Sequence, residues 1–250
     1  EHLGMSEAQT LAELSGLIYL NPDRQTWETA DEYLSGNVRE KLKMAESAAA
    51  SDPQYKANVE ALEAVQPEDL PPSKIKVGLG MPVVRPAFIA DFAREVLDLG
   101  KVKVEYIAAI GKWDVADRHG GLPVHVRSYA ATTEYGTEDR HAAHLLVAAL
   151  NNQQVQVTRL DDEGKRYVDK KATEAANEKL QKIKERFVSW IWEEGKRAEV
   201  FARDYNDQLN AVVKRTYDGP QLDVMTFPGM SAAIRPYRHQ KRVAYRIVQN

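Results

Sequence analysis

The sequence predicts an α+β protein with a helical N-terminal region, a small antiparallel sheet with helices on one face, and a long helix leading into a C-terminal extension. Three observations predict this class: the start of the chain is rich in Ala, Leu and Glu, its middle mixes β-like segments with helices, and residues 173–192 repeat apolar side chains every three or four positions. We therefore expect an acidic helical region (1–70), a small α+β domain ending in the long helix (71–195) and a basic region (196–250).

The N-terminal region is predicted to be helical. Its first helix spans residues 5–19, with Ser6 and Gln9 at the positions of a capping box, and the Asn21-Pro22-Asp23 sequence ends it. Three more helices are predicted at residues 29–34, with Thr29 as the cap, at 38–50, and from Asp52-Pro53 onward. The extended sequence at 66–73 is the predicted domain boundary.

The middle of the chain is predicted to combine strands and helices. Residues 102–107 and 113–116 are β-like and can pair across a turn at Gly111. Residues 155–160 and 165–168 form a second hairpin pattern around Asp-Asp-Glu-Gly. The other predicted elements are a strand at 75–79, a helix at 86–97 and a helix at 140–150 capped by Thr137. We expect the strands to form one small antiparallel sheet.

The C-terminal third begins with the most strongly patterned helix. Apolar residues recur at helical spacing along 173–192, namely Ala176, Leu180, Ile183, Phe187 and Ile191. Gly195 interrupts this helix. The remaining sequence predicts a helix at 200–213, a turn at 217–220, an extended segment at 222–227 and a helix at 240–248.

The composition excludes several classes of protein. The 250 residues include 34 basic and 37 acidic side chains and no cysteine. The lack of cysteine excludes a disulfide scaffold, a thiol nucleophile and a Cys-based zinc site, and it is typical of the cytoplasm, where we place the chain. No apolar run approaches the ~18 residues of a transmembrane helix, so no membrane contact is expected. Because the chain starts at Glu1, we expect a piece of a longer protein.

The charge is unevenly distributed along the chain. Residues 1–70 carry 14 acidic and 5 basic side chains, whereas residues 201–250 carry 4 acidic and 8 basic ones. This gradient favours a polyanionic partner such as nucleic acid at the C-terminal end, although ordinary variation in surface charge explains it equally well.

The basic residues near the C-terminus are the best candidates for binding. They are Lys214, Arg215, Arg235, Arg238, Lys241, Arg242 and Arg246, and they alternate with Tyr217, Phe227, Tyr237, His239 and Tyr245. Cations hold phosphates and aromatic faces stack on bases, so the run predicts contact with nucleic acid or nucleotide. The alternative is an amphipathic helix whose arginine stems simply cover apolar surface.

The other chemical motifs predict no catalytic site. His141 and His144 have a spacing that can bind a metal, but no third ligand is evident, which favours an ordinary helix surface. The acidic run 161–164 lacks the alternating acids of a calcium loop. Gly78-Leu-Gly80 lacks the third glycine of a dinucleotide fingerprint, and the sequence contains no nucleophile elbow, zinc-protease helix or Walker loop.

Two segments resemble a known family. Thr29-Ala-Asp-Glu-Tyr-Leu-Ser-Gly-Asn-Val-Arg39, followed by Lys41-Leu42, resembles a segment of very large phage, plasmid and mobile-element proteins that join an adenine-specific DNA methyltransferase to a Swi/Snf-like helicase. The elements Tyr205-Asn206, Tyr217-Asp218-Gly219, Phe227-Pro-Gly-Met230 and Ile234-Arg-Pro resemble the approach to the helicase motor. The family's Arg-Pro-His-Gln element corresponds to Arg235-Pro-Tyr-Arg-His-Gln240, which has two additional residues.

The resemblance implies a non-catalytic fragment that positions the motor and contacts DNA, with the start of the motor lobe within 196–250. It implies that Arg235 and Gln240 lie near a nucleotide, because a glutamine amide can read the adenine edge. Phosphate contacts are assigned to Lys214, Arg215, Arg238, Lys241 and Arg242. We expect no cofactor in the fragment, ATP and Mg in the parent protein, and DNA and the parent's helicase and methyltransferase modules as partners. The alternative is a protein-interaction scaffold that binds no nucleic acid.

Overall fold

The computed structural model describes residues 6–217, 222–223, 225–231 and 234–249. The chain forms two compact units, one made of residues up to Asp69 together with those from Leu209 onward, and one made of residues 70–208. The predicted α+β class is confirmed, because helices occur together with small antiparallel two-stranded sheets and one long helix. Within the described residues, no helix is long and apolar enough to cross a membrane.

The first unit begins with a helix that is shorter than predicted. Helix α1 (Glu7–Glu13) has the predicted capping box, since the Gln9 backbone N–H donates to Ser6 Oγ and the Ser6 N–H donates to Gln9 Oε1. Met5, where the predicted helix starts, lies outside the described residues. The predicted continuation to Tyr19 is wrong, because Tyr19 belongs to a hairpin of β1 (Ile18–Asn21) and β2 (Thr26–Thr29).

The turn of this hairpin is set by local hydrogen bonds. The side-chain oxygen of Asn21 accepts from the backbone N–H groups of Asp23 at 2.9 Å and Arg24 at 3.3 Å. Gln25 then takes a left-handed conformation with φ of 55°. The Asn21-Pro22-Asp23 sequence therefore begins the turn of the β-hairpin, because an asparagine side chain can accept the hydrogen bonds of a backbone turn.

The remaining helices of the first unit follow the predictions closely. They are α2 (Ala30–Tyr33), α3 (Val38–Ala49), a 3-10 turn (Pro53–Tyr55) and α4 (Lys56–Ala64). Thr29 precedes α2 as predicted, but its side chain makes no capping hydrogen bond. Asn37 caps α3 through its side-chain oxygen, which accepts from the Glu40 N–H at 3.1 Å. The apolar faces enclose a small core of Tyr33, Val38, Ala45 and Leu62.

A strand from the far end of the chain completes this unit. Helix α8 (Gly195–Leu209) ends earlier than predicted, and β8 (Val212–Val213) pairs antiparallel with β3 (Gly36–Asn37). Val213 is therefore in a strand and the predicted helix to that residue is wrong. The Val38 N–H donates to the Ala211 carbonyl at 3.0 Å, and the Arg39 guanidinium donates to the carbonyls of Asn210 and Pro67.

Lys41 joins α2 to α3 within this unit. Its ammonium donates to the carbonyls of Glu32 at 3.1 Å, Tyr33 at 2.8 Å and Ser35 at 2.9 Å. These carbonyls belong to the last turn of α2 and the residues just after it, and that of Glu32 also accepts from the Ser35 hydroxyl at 2.9 Å. Burial lowers the pKa of Lys41, while the three carbonyl acceptors favour the charged form. The lysine thus closes the end of α2.

We expect Lys41→Met to destabilise the protein by about 1–3 kcal/mol, because the carbonyls of Tyr33 and Ser35 lose the ammonium donor, while that of Glu32 still accepts from Ser35. The measurement is the free energy of unfolding in urea. Lys56→Met is the matched control, since Lys56 is exposed on α4 and its replacement should change stability by less than ~0.5 kcal/mol. Equal stabilities for the two variants would show that the three hydrogen bonds contribute nothing.

The second unit is built from helices and two separate β-hairpins. Its helices are α5 (Pro86–Glu95), α6 (Ala142–Leu150), α7 (Lys170–Glu193) and all but the last residue of α8, and a π-helical turn spans Ala130–Glu134. The hairpins are β4 (Lys103–Ile107) with β5 (Lys112–Ala116), and β6 (Thr158–Leu160) with β7 (Arg166–Val168). The helix at 86–97, the long helix and both hairpins are confirmed, but the hairpins do not join into one sheet.

The core of this unit lies among α5, α6 and α7. Its large, fully buried side chains include Ile89, Phe92, Leu145, Leu146, Ile183, Phe187 and Ile191. The buried residues of α7 are the ones that the apolar repeat predicts, together with Trp190. The periodic stripe therefore becomes the packing face of the helix, as expected for an amphipathic helix.

Two local predictions in the second unit are wrong. Residues 75–79 form no strand, since a 3-10 turn (Pro72–Lys74) precedes them and a turn follows at Gly80, where φ is 92°. Helix α6 is capped by His141 and not by Thr137. Thr137 Oγ1 instead accepts from the N–H of Arg140 at 3.0 Å, and Arg140 lies two residues before the helix begins.

The C-terminal segment ends in helix α9 (Arg238–Gln249), which confirms the helix predicted at 240–248. Residues 218–220 of the predicted turn lie outside the described residues. Among the described residues of 222–227 there is no strand, and Leu222 is fully buried.

Candidate nucleic-acid interface

Helix α9 carries a line of arginines. Arg238, Arg242 and Arg246 follow one another at intervals of four, which places them along one side of an α-helix. All three are exposed, and the helix contains no acidic residue. The Arg246 guanidinium lies over the ring of Tyr217 at 5.8 Å. This side of the helix thus carries three exposed arginines.

The first turn of α9 is closed by Gln240. Its Oε1 accepts from the Tyr237 backbone N–H at 2.9 Å, and the Tyr237 carbonyl accepts from the N–H groups of Gln240 and Lys241. This is the reciprocal half of a capping box, in which the third helical residue reaches back to the cap. Because the amide oxygen already accepts one bond, any reading of adenine by Gln240 has to share that oxygen.

Two aromatic rings lie beside this first turn. Tyr237 and His239 are stacked with centroids 5.7 Å apart and an interplanar angle of 8°. The Tyr237 residue is 71% exposed. An exposed aromatic face next to arginines is a surface on which a nucleobase can stack.

Arg235 and Lys241 line a cleft of about 520 Å³ in the first unit, together with Asp223, Phe227, Met230 and Ile234 among others. Arg235 is exposed, whereas Lys241 is half-buried and donates to the Leu222 carbonyl at 2.8 Å. The structure thus brings these two predicted residues together. Lys241 already contributes to holding α9 against Leu222.

Lys214 and Arg215 differ in their surroundings. Lys214 is exposed and lies just after β8. Arg215 is mostly buried, and its Nε donates to Asp31 at 3.0 Å while its Nη2 is 3.7 Å from Glu32. Two carboxylates therefore balance the charge of Arg215, which stabilises the first unit and leaves little charge for a phosphate.

The sequence that carries the family resemblance has a structural role. Tyr33 and Ser35 are buried, Asn37 caps α3, and Lys41 closes the end of α2. Arg39 joins this segment to the carbonyl of Asn210 at 3.2 Å. Sequence reasoning missed this role, because the partners of the segment come from both ends of the unit.

His141, the cap of α6, and His144, in its first turn, have different surroundings. His141 is buried, its Nδ1 accepts from the Ala143 N–H at 3.2 Å and its Nε2 lies 2.8 Å from the Val126 carbonyl. His144 is exposed, and partial desolvation followed by the charge of Arg140 lowers its pKa. In the part of the chain that the structure describes, no group of three or more His, Cys, Asp or Glu side chains could hold a metal ion.

Part of the chain matches a known family model. A family model described as Domain of unknown function (DUF8437) matches residues 78–211, which is more than half of the chain and includes α5, α6, α7 and α8 but not α9. No curated protein and no solved structure matches the chain. The chain therefore belongs to the family described as Domain of unknown function (DUF8437).

Proposed function

We propose that this protein binds the phosphate backbone of DNA through the arginine face of α9, as a non-catalytic part of a larger DNA-modifying protein of the methyltransferase–helicase kind. In that protein it positions the motor, while ATP and Mg bind elsewhere. The observation that carries the proposal is the line formed by Arg238, Arg242 and Arg246 on one exposed side of a helix without acidic residues.

The dimensions of this face suit a nucleic-acid strand. An α-helix rises ~1.5 Å per residue, so the three arginines cover about 12 Å. A strand of DNA carries a phosphate about every 3.4 Å along the duplex axis, so the arginine face can reach several successive phosphates. Tyr237, exposed at the start of the helix, adds a stacking surface for an unpaired base.

The test is the salt dependence of DNA binding, measured by fluorescence anisotropy with duplex and single-stranded DNA. In the triple variant Arg238→Gln, Arg242→Gln and Arg246→Gln, the plot of log association constant against log salt should become shallower by up to about 3 units of slope, because three phosphate contacts are lost. Weaker binding at every salt concentration should accompany this change.

The matched control replaces three exposed lysines of the second unit, Lys101, Lys165 and Lys171, with glutamine. It removes the same charge and should leave the slope almost unchanged. Equal losses in both triple variants would reject a specific role for α9. Absence of binding by the unaltered protein at low salt would reject DNA as the partner and favour the protein-interaction scaffold.

A further inference from the structure

The second unit contains a cleft of about 730 Å³ that the proposed DNA contact does not use. It lies beside the π-helical turn and the start of α6, and α7 supplies one wall. The residues that line it and matter here are Arg127, Thr133, Glu138, His144 and Lys179. The volume is within the roughly 300–1,000 Å³ range of small-molecule sites.

Hydrogen bonds and an ion pair hold the walls of the cleft in place. The Lys179 ammonium donates to the carbonyls of Thr133 at 2.8 Å and Glu134 at 3.0 Å, which fixes the end of the π-helical turn to α7. Lys182 forms an ion pair with Glu134 at 3.2 Å. π-Helical turns occur often at functional sites, so a rigidly held one beside a cleft indicates a binding role.

A glycine makes this turn possible. A Cβ at Gly136 would overlap with the carbonyl oxygen of Ala131 and would lie 3.1 Å from the carbonyl carbon of Thr132. Only glycine permits so close an approach of two backbone segments. The shape of the cleft is therefore built into the backbone before any ligand arrives.

The charges in the cleft favour an anion. Arg127 and Lys179 both line the cleft. Arg127 is exposed, and carbonyls use two of the three N–H groups of Lys179. Asp139, which also lines the cleft, is 3.1 Å from Arg159, so its charge is balanced. Glu138 is exposed and carries the remaining negative charge among the lining residues.

His144 and Thr133 supply neutral polar groups. Both are exposed and line the same cleft. Partial desolvation and the charge of Arg140 lower the pKa of His144, so its ring is neutral at pH 7 and offers one donor and one acceptor. Such a ring can bind the uncharged part of a ligand.

We propose that this cleft binds a small phosphorylated molecule of mononucleotide size, with its phosphate held by Arg127 and Lys179 and its remaining polar groups contacted by His144 and Thr133. A phosphate fits because it can accept hydrogen bonds from two cations at once. The cleft of about 730 Å³ has room for an organic group beside the phosphate. Every lining residue belongs to the second unit, whereas α9 belongs to the first unit.

Isothermal titration calorimetry of the whole chain with AMP, GMP, CMP, ribose 5-phosphate and inorganic phosphate tests the proposal. We expect saturable binding of at least one organic phosphate, tighter than that of inorganic phosphate. Arg127→Gln should weaken it about tenfold through loss of a charge-assisted hydrogen bond. Glu138→Gln should tighten it about twofold, because a like charge is removed.

The two variants have opposite expected effects, so a general loss of folding cannot imitate the result. Arg166→Gln is the control, because Arg166 is exposed on β7 outside the cleft and its replacement should leave the affinity unchanged. The proposal is overturned if none of the five probes binds, if inorganic phosphate binds as tightly as the best of them, or if Arg127→Gln and Arg166→Gln have equal affinity.

Discussion

Gly80→Ala is expected to destabilise the protein by about 3–5 kcal/mol, among the largest effects of a single methyl group. The added Cβ would overlap with the Leu150 carbonyl oxygen and lie 2.9 Å from the carbonyl carbon of the same residue. The backbone at Gly80 has φ of 92°, a conformation that L side chains rarely adopt. Its carbonyl also accepts from Trp113 Nε1 at 2.8 Å, so the segment cannot easily move away.

Gly100→Ala separates the two sources of this loss. Gly100 has φ of 72°, and no atom lies within 4 Å of an added Cβ. Its replacement should therefore cost only the backbone strain, about 1–2 kcal/mol. The difference between the variants, measured by urea unfolding followed through tryptophan fluorescence, reports the overlap with Leu150. Equal costs would mean that the end of α6 and the Gly80 turn separate readily in solution.

The elements that the sequence predicted well are those determined by nearby residues. The long helix α7 follows from an apolar repeat that every turn of the helix obeys. The hairpin of β4 and β5 follows from two β-like segments around Gly111, whose φ is 62°. In both cases the information lies within one element and its turn, so tertiary contacts were not needed to recover it.

The sequence does not predict the N-terminal hairpin, because the composition around its first strand is typical of a helix. Residues 5–19 are rich in helix-forming residues, yet the last two of them, Ile18 and Tyr19, pair with β2. Trp27 and Thr29 on that partner strand are β-formers, and the turn at Asn21 is closed by its own side chain. Intrinsic helix propensity is a weak guide where a neighbouring strand offers an alternative set of hydrogen bonds.

The pairing of β3 with β8 could not be predicted from local sequence. Each strand has only two residues, and they come from opposite ends of the chain. So short a pair is stabilised by its surroundings, here the Val38 N–H bound to Ala211 and the Arg39 contacts with Asn210 and Pro67. Pairs of this kind lack the period of a strand and are specified by tertiary contacts alone.

The candidate site also combines features that nearby residues determine with features that depend on tertiary contacts. The cationic character of the C-terminal segment was evident in the sequence, and the structure places three of its arginines on one side of α9. The partners were not evident: Arg215 pairs with Asp31 far away in sequence, and Gln240 closes its own helix. The cleft of the second unit was invisible to sequence reasoning, since Arg127 and Lys179 come from elements that only folding brings together.

Phe187→Ala is expected to cost about 3–5 kcal/mol, because it removes the centre of the core of the second unit. Phe187 is fully buried on α7 and meets the ring of Phe92 edge-on, with centroids 5.2 Å apart. The ring centroid of Trp190 lies 6.0 Å from that of Phe187 and 5.5 Å from that of Phe92. The deletion thus removes apolar burial and aromatic pairing together and leaves a cavity that three helices cannot easily close.

Val188→Ala provides the comparison, because Val188 is the next residue on α7 and is exposed, so its loss should cost less than ~0.5 kcal/mol. The readout is the free energy of unfolding from urea titration, followed by fluorescence of the tryptophans, among which Trp190 is buried beside Phe187. Phe187→Leu should restore part of the loss, since it refills much of the cavity. Indistinguishable midpoints for Phe187→Ala and Val188→Ala would mean that the apolar stripe of α7 does not face the core. In that case α5 and α6 would not pack against this stripe.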